Sequence, residues 1–96
     1  MLRLMIVDDE QIIREALSSM IDYTSLGYEV IATAKNGMEA YDRIRDDYPD
    51  VVITDIKMPI LNGLELIERA SRIDSRITFI PVSYTHLRAH ETRGNL

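Results

Sequence analysis

The chain has 96 residues, 46% hydrophobic and 28% charged, with a net charge of −5 and no cysteine. That is enough for one globular domain, and it excludes a disordered chain, disulfide staples and a cysteine-ligated zinc. No apolar run reaches the ~18 residues of a membrane span, the apolar N-terminus ends in acid rather than in a cleavage site, and the acidity argues against direct nucleic-acid contact, so the expected compartment is the cytoplasm.

Residues 3–7, Arg-Leu-Met-Ile-Val, form a short apolar run that stops at Asp8-Asp9-Glu10, which predicts a buried strand. From Gln11 to about Asp22, Ile13, Ala16, Leu17, Met20 and Ile21 recur at three and four residues and predict a helix with that face inward. Residues 23–28 read as a loop. Glu29 to Thr33 is a second strand, rich in β-branched residues. Asn36-Gly37 with Glu39 resembles a capping box; Ala40, Tyr41, Ile44 and Tyr48 mark the inner face of the helix that follows, and Pro49 stops it. Val51 to Thr54 is a third strand ending at Asp55, and Lys57 to Leu61 is a loop containing Pro59. Asn62 with Glu65 repeats the cap signal, and Leu64, Ile67 and Ala70, with Leu66 and Ile73 nearby, suggest a third helix to about Arg72. Ile77 to Ile80 is a fourth strand.

Strands apolar on both faces, alternating with amphipathic helices, predict an α/β fold with a doubly wound parallel sheet. Composition changes near Pro81. Residues 1–80 hold 9 basic and 15 acidic residues, whereas 81–96 hold two Arg, one Glu and both histidines.

In open α/β sheets the reactive edge is the carboxyl end of the strands. Two strands here end in aspartate, at Asp8-Asp9 and at Asp55. Singly, such an aspartate is often just a cap or turn residue. Together, on neighbouring strands, they would converge in one crevice. Two carboxylates ~5 Å apart repel by roughly 3 kcal/mol at an effective dielectric near 20. One must then stay protonated or a cation must bind. Hard oxygen ligands beside a phosphate suit Mg²⁺. Asp55, alone at its strand end, is the natural nucleophile for phosphoryl transfer, and Asp8 and Asp9 are the natural metal holders.

Ile-Val-Asp-Asp-Glu at 6–10, Thr-Asp-Ile-Lys-Met-Pro at 54–59, Asn62-Gly63, and Asn36-Gly37-Met38-Glu39-Ala40 resemble a response-regulator receiver domain of the CheY-like, flavodoxin-like class. Ile21-Asp22-Tyr23, Leu26-Gly27 and Asp55-Ile56-Lys57-Met58-Pro59 are similar to its YesN/AraC-type subgroup. The resemblance implies that Asp55 accepts a phosphoryl group from a histidine kinase. It implies that Asp9 ligates Mg²⁺ directly, that Asp8 acts mainly through water, and that the Lys57 backbone carbonyl completes the protein's ligands beside Asp55. Gly63 would relieve crowding, and Met58-Pro59 would shape the loop. In an intact relative, phosphorylation would drive homodimerisation and release a DNA-binding output domain, a module for which this segment carries no motif.

The resemblance covers residues 2–80 and stops after four of the family's five strands. No residue occupies the place of the family's phosphate-contacting lysine, and Lys35 and Lys57 do not substitute by placement. Ser83 falls near the position of the family's switch hydroxyl, but it lies where the composition has changed, so it is read as coincidental. Residues 81–96 resemble translated vector sequence and are expected to be a tail of non-native origin, with His86 and His90 solvated. A chain ending there is expected to leave the fourth strand as an open edge and the fold marginal. Two other functions compete. A Mg²⁺-dependent aspartyl-phosphate phosphatase would want an acid two residues after its nucleophile, where Lys57 stands. An interaction module with a vestigial pocket sits poorly with the complete set Asp8, Asp9 and Asp55.

Overall fold

The computed structural model describes residues 1–82. Strand β1 (Leu2–Val7) leads into α1 (Gln11–Met20), and a 3₁₀ turn at Thr24–Leu26 leads into β2 (Tyr28–Ala34). Then follow α2 (Gly37–Asp47), β3 (Val51–Asp55), α3 (Gly63–Ile73) and β4 (Thr78–Val82). The four strands form one parallel sheet in the order β2-β1-β3-β4. Parallel neighbours require crossovers, and the helices supply them.

The period of two along β1 divides the core. Met5 and Val7 point to the α2/α3 side, where they join Val52, Ala40, Ile44, Leu66 and Ala70. Leu4 and Ile6 point to the α1 side and meet Tyr23, Val51 and Leu17. Tyr23 fits this layer because its hydroxyl donates to the Leu17 carbonyl at 2.7 Å, which satisfies the one polar atom the ring buries. The β1–β2 register slips by one residue between Leu4 and Met5, so that Ile31 is the extra residue on β2.

Both asparagine caps form. Asn36 accepts from the Glu39 N–H at 2.8 Å. Asn62 and Glu65 make the reciprocal pair, Glu65 N–H to Asn62 Oδ1 at 2.9 Å and Asn62 N–H to Glu65 Oε1 at 3.2 Å. At the far end of α2, the Arg3 guanidinium donates to the carbonyls of Asp47 and Tyr48. A cation on the last carbonyls of a helix is favoured by the helix dipole.

Four details differ from the sequence expectation. Tyr48 is not on the inner face of α2. It takes the left-handed cap position with φ 42°, which turns its ring outward to 53% exposure. The inward residue of α3 is Leu66, fully buried, and not Leu64, which is 59% exposed, because the capped start at Asn62 sets the helix rotation. α1 stops at Met20, and Met20 and Ile21 are exposed although Ile13, Ala16 and Leu17 are half-buried. Finally, β4 takes in Pro81 and Val82, which pair with Thr54 and Asp55. The pairing with β3 thus runs on past the change in composition near Pro81.

Leu66→Ala is expected to cost about 3 kcal/mol and Leu64→Ala within about 0.5 kcal/mol. Urea unfolding of the two variants checks the rotation of α3; equal losses would contradict it.

Candidate functional site

β1 and β3 lie side by side with Val7 opposite Thr54, so the residues that follow, Asp8 and Asp55, reach the same end of the sheet. The chain leaves β1 toward β2 on one side and leaves β3 toward β4 on the other. That divergence opens the crevice typical of a topological switch point. One carboxylate oxygen from each of Asp8, Asp9 and Asp55 lies within 4.8 Å of the others. Asp8 and Asp55 are buried and Asp9 is exposed.

Asp8 and Asp55 are held through main-chain groups. The Asp8 N–H makes the last rung toward β2, donating to the Ala34 carbonyl at 3.1 Å. Asp8 Oδ1 accepts the Glu10 N–H at 2.9 Å, a turn that launches α1. Asp8 Oδ2 is buried and accepts no hydrogen bond among the described residues. Burial pushes the Asp8 carboxyl up to about 6; the Glu10 N–H opposes this, and the charges of Asp55, Asp9 and Glu10 reinforce it. The buried Thr54 hydroxyl donates to the Asp55 carbonyl at 3.0 Å. Just beyond, the Ile56 N–H donates to the Val82 carbonyl at 3.1 Å.

The loop after Asp55 is wedged between two glycines. A Cβ on Gly63 would be driven into the Asp55 carbonyl oxygen, and a Cβ on Gly37 into that of Leu61. The expected role of Gly63 in relieving crowding therefore has a specific cause, and Gly37 plays the same part against Leu61. Met58 and Leu61 anchor the loop in the core. Ile60 takes φ 72°, a strained region for a β-branched residue, and Leu61 N–H closes back on the Pro59 carbonyl at 2.8 Å.

A buried carboxylate oxygen without a donor, beside two further carboxylates, is the environment a hard cation satisfies. The donor set of Asp8, Asp9 and Asp55 fits a divalent ion of that kind. The Lys57 side chain is exposed. Ser83, His86 and His90 lie outside the described residues. Sequence reading did not single out Arg14, whose Nη1 donates to the Asp8 carbonyl at 2.7 Å. The available signal was a cation near the start of a helix, where the dipole disfavours it unless it has a partner.

A parallel sheet carrying an acid triplet at its switch point defines a doubly wound α/β domain with an acidic crevice. The chain belongs to the response regulator receiver domain family, whose model matches residues 4–93. It is 42% identical over 83 residues to the uncharacterized transcriptional regulatory protein YesN of Bacillus subtilis, covering 86% of this chain but only 23% of YesN. It resembles the receiver domain of AraT, a response regulator from Geobacillus stearothermophilus, with a TM-score of 0.83 and 32% identity, covering 95% of this chain and 71% of that one. It also resembles the structure of the CheX–CheY–BeF₃–Mg²⁺ complex from Borrelia burgdorferi, with a TM-score of 0.77 and 30% identity, covering 85% of this chain and 61% of that one. Among the described residues, no helix is long and apolar enough to cross a membrane.

Two predictions follow from this geometry. Because the folded Asp8 binds its proton at about 6 against an ordinary 3.8, its favourable share of stability is complete below 3.8 and is lost as pH rises through 6. In metal-free buffer, Asp8→Asn keeps the acceptor for the Glu10 N–H and removes the charge. It is therefore expected to match wild type near pH 4 and to exceed it by about 2–3 kcal/mol at pH 7, as read by urea unfolding at each pH. Gly63→Ala is expected to destabilise the fold by about 2 kcal/mol, through displacement of α3 from the Asp55 carbonyl.

Proposed function

We propose that this chain is the cytoplasmic phosphoacceptor of a two-component phosphorelay, in which Asp55 accepts a phosphoryl group from a histidine kinase. A carboxylate oxygen of Asp55 attacks phosphorus, the P–N bond of the phosphohistidine breaks, and the electron pair leaves on the imidazole. Asp8, Asp9, Asp55 and the Lys57 backbone carbonyl would hold Mg²⁺. When bound, the ion neutralises the carboxylates and the incoming phosphoryl oxygens. The observation that carries this reading is the convergence of three carboxylates at the switch point, with Asp8 Oδ2 buried and without a donor among the described residues.

The chain's own groups account for the rest. Asp55 is fixed by the Thr54 hydroxyl on its carbonyl and by Gly63 packed behind it. Asp8 is kept in place by the Glu10 N–H. The chain is a signalling domain rather than a turnover catalyst in this reading, and Ser83 is given no part in the step. Phosphorylation adds nearly two negative charges and new acceptor oxygens at a strand end continuous with the strained loop at Ile60. In a longer protein of the YesN kind, that change would favour a homodimer and release a transcriptional output domain. No nucleic-acid or membrane contact is assigned to these residues.

Acetyl phosphate with Mg²⁺ is expected to add one phosphoryl group, read by intact-protein mass. The gain should vanish in Asp55→Asn and on chelation with EDTA. No gain in a sample that circular dichroism shows to be folded would overturn the proposal.

A further inference from the structure

We infer that Arg14 is a positioning residue for the cation site and acts on Asp9 through the Asp8 carbonyl; this rests on the Mg²⁺ reading given above. Arg14 is the fourth residue of α1, half-buried, and its Nη1 reaches back six residues to the Asp8 carbonyl oxygen at 2.7 Å. The Arg14 N–H meanwhile makes the first helical bond, to the Glu10 carbonyl at 3.0 Å. One residue thus ties the turn to the helix through both main chain and side chain.

The carbonyl it grips belongs to the peptide plane that also carries the Asp9 N–H. Fixing that plane restricts the direction in which the Asp9 side chain leaves the backbone. Asp9 depends on this more than its neighbours do. Asp8 is buried and bonded to the Glu10 N–H, and Asp55 is buried at the end of β3. Asp9 is exposed and makes no side-chain hydrogen bond among the described residues, yet its carboxylate stands within 4.8 Å of the other two. Its place is inherited from the backbone of the turn, and the Arg14 guanidinium is the side chain that clamps that turn. A charged donor on a neutral carbonyl is also stronger than a neutral one.

Charge and position predict opposite signs, which makes the inference testable. A guanidinium beside a cation site repels the ion, so its removal by charge alone would tighten Mg²⁺ binding. Its removal as a clamp would loosen binding. Arg14→Met keeps the aliphatic stem and the helix propensity but has no donor. Arg14→Lys returns one charged donor without the planar fork. Mg²⁺ titration of the full 96-residue chain, followed by tyrosine fluorescence or calorimetry, gives the readout, with the thermal midpoint measured alongside.

The expected order of affinity is wild type, then Arg14→Lys about threefold weaker, then Arg14→Met about tenfold weaker, the scale typical of groups that orient metal ligands. In the Asp9→Asn background, Arg14→Met should produce no further loss. Wild-type binding with Arg14→Met equal or tighter would overturn the inference and leave the proposed function standing. A lower thermal midpoint with unchanged affinity would likewise overturn it, by showing a role in stability alone. If Arg14→Met does not fold, Arg14→Lys equal to or tighter than wild type decides against it. Absence of Mg²⁺ binding by folded wild type would overturn this inference and the metal-dependent reading together.

Discussion

Mutual repulsion among three carboxylates is the constraint around which the rest of the structure is arranged. Asp8, Asp9 and Asp55 bring oxygens within 4.8 Å of one another, two of the residues being buried. At such separations each ionised pair costs roughly 3 kcal/mol at an effective dielectric near 20. A loose scaffold would relax and let the groups swing apart into water. This one fixes them at the ends of paired strands. β1 is hydrogen-bonded on both sides, to β2 and β3, and β3 likewise, to β1 and β4, so neither strand end is free to move. Burial of Asp8 raises its proton affinity, and the neighbouring carboxylates reinforce that rise.

Close backbone packing extends that stiffness into the loop after Asp55. Gly63 lets α3 approach the Asp55 carbonyl, and Gly37 lets α2 approach the Leu61 carbonyl. Between these two contacts the chain has little slack, and the turn is completed by Ile60 at φ 72°. Strain of that sort persists only where the surroundings over-determine it. Here the buried side chains of Met58 and Leu61 on one side and the capping box at Asn62 on the other do so. The loop and the acid cluster are thus one mechanical unit.

The two faces of the sheet are covered unequally. The side carrying α2 and α3 holds the larger cluster, from Met5 and Val7 through Ile44 to Leu66. The α1 side holds Leu4, Ile6, Tyr23 and Val51, while Ile12 and Met20 of α1 remain 79% and 81% exposed. α1 is accordingly secured less by apolar burial than by its entry turn, where Asp8, Glu10 and Arg14 exchange three hydrogen bonds. The same bonds that start the helix also hold Asp8.

Much of this was written locally in the chain. The alternation of apolar strands with capped helices gave the parallel α/β class, because period and capping are properties of near neighbours. Asn36 and Asn62 announced their helices, and Asp8, Asp9 and Asp55 stood out as acids following apolar runs. The sequence alone did not decide that β1 and β3 are adjacent, since strand order depends on crossovers across the whole chain. Nor could it choose Leu66 over Leu64, turn Tyr48 outward, or carry the Arg14 guanidinium to the Asp8 carbonyl. Rotation, exposure and proton affinity depend on what comes near in space. Asp8-Asp9 and Asp55, distant in the sequence, share one acidic crevice because the tertiary fold placed two strand ends side by side.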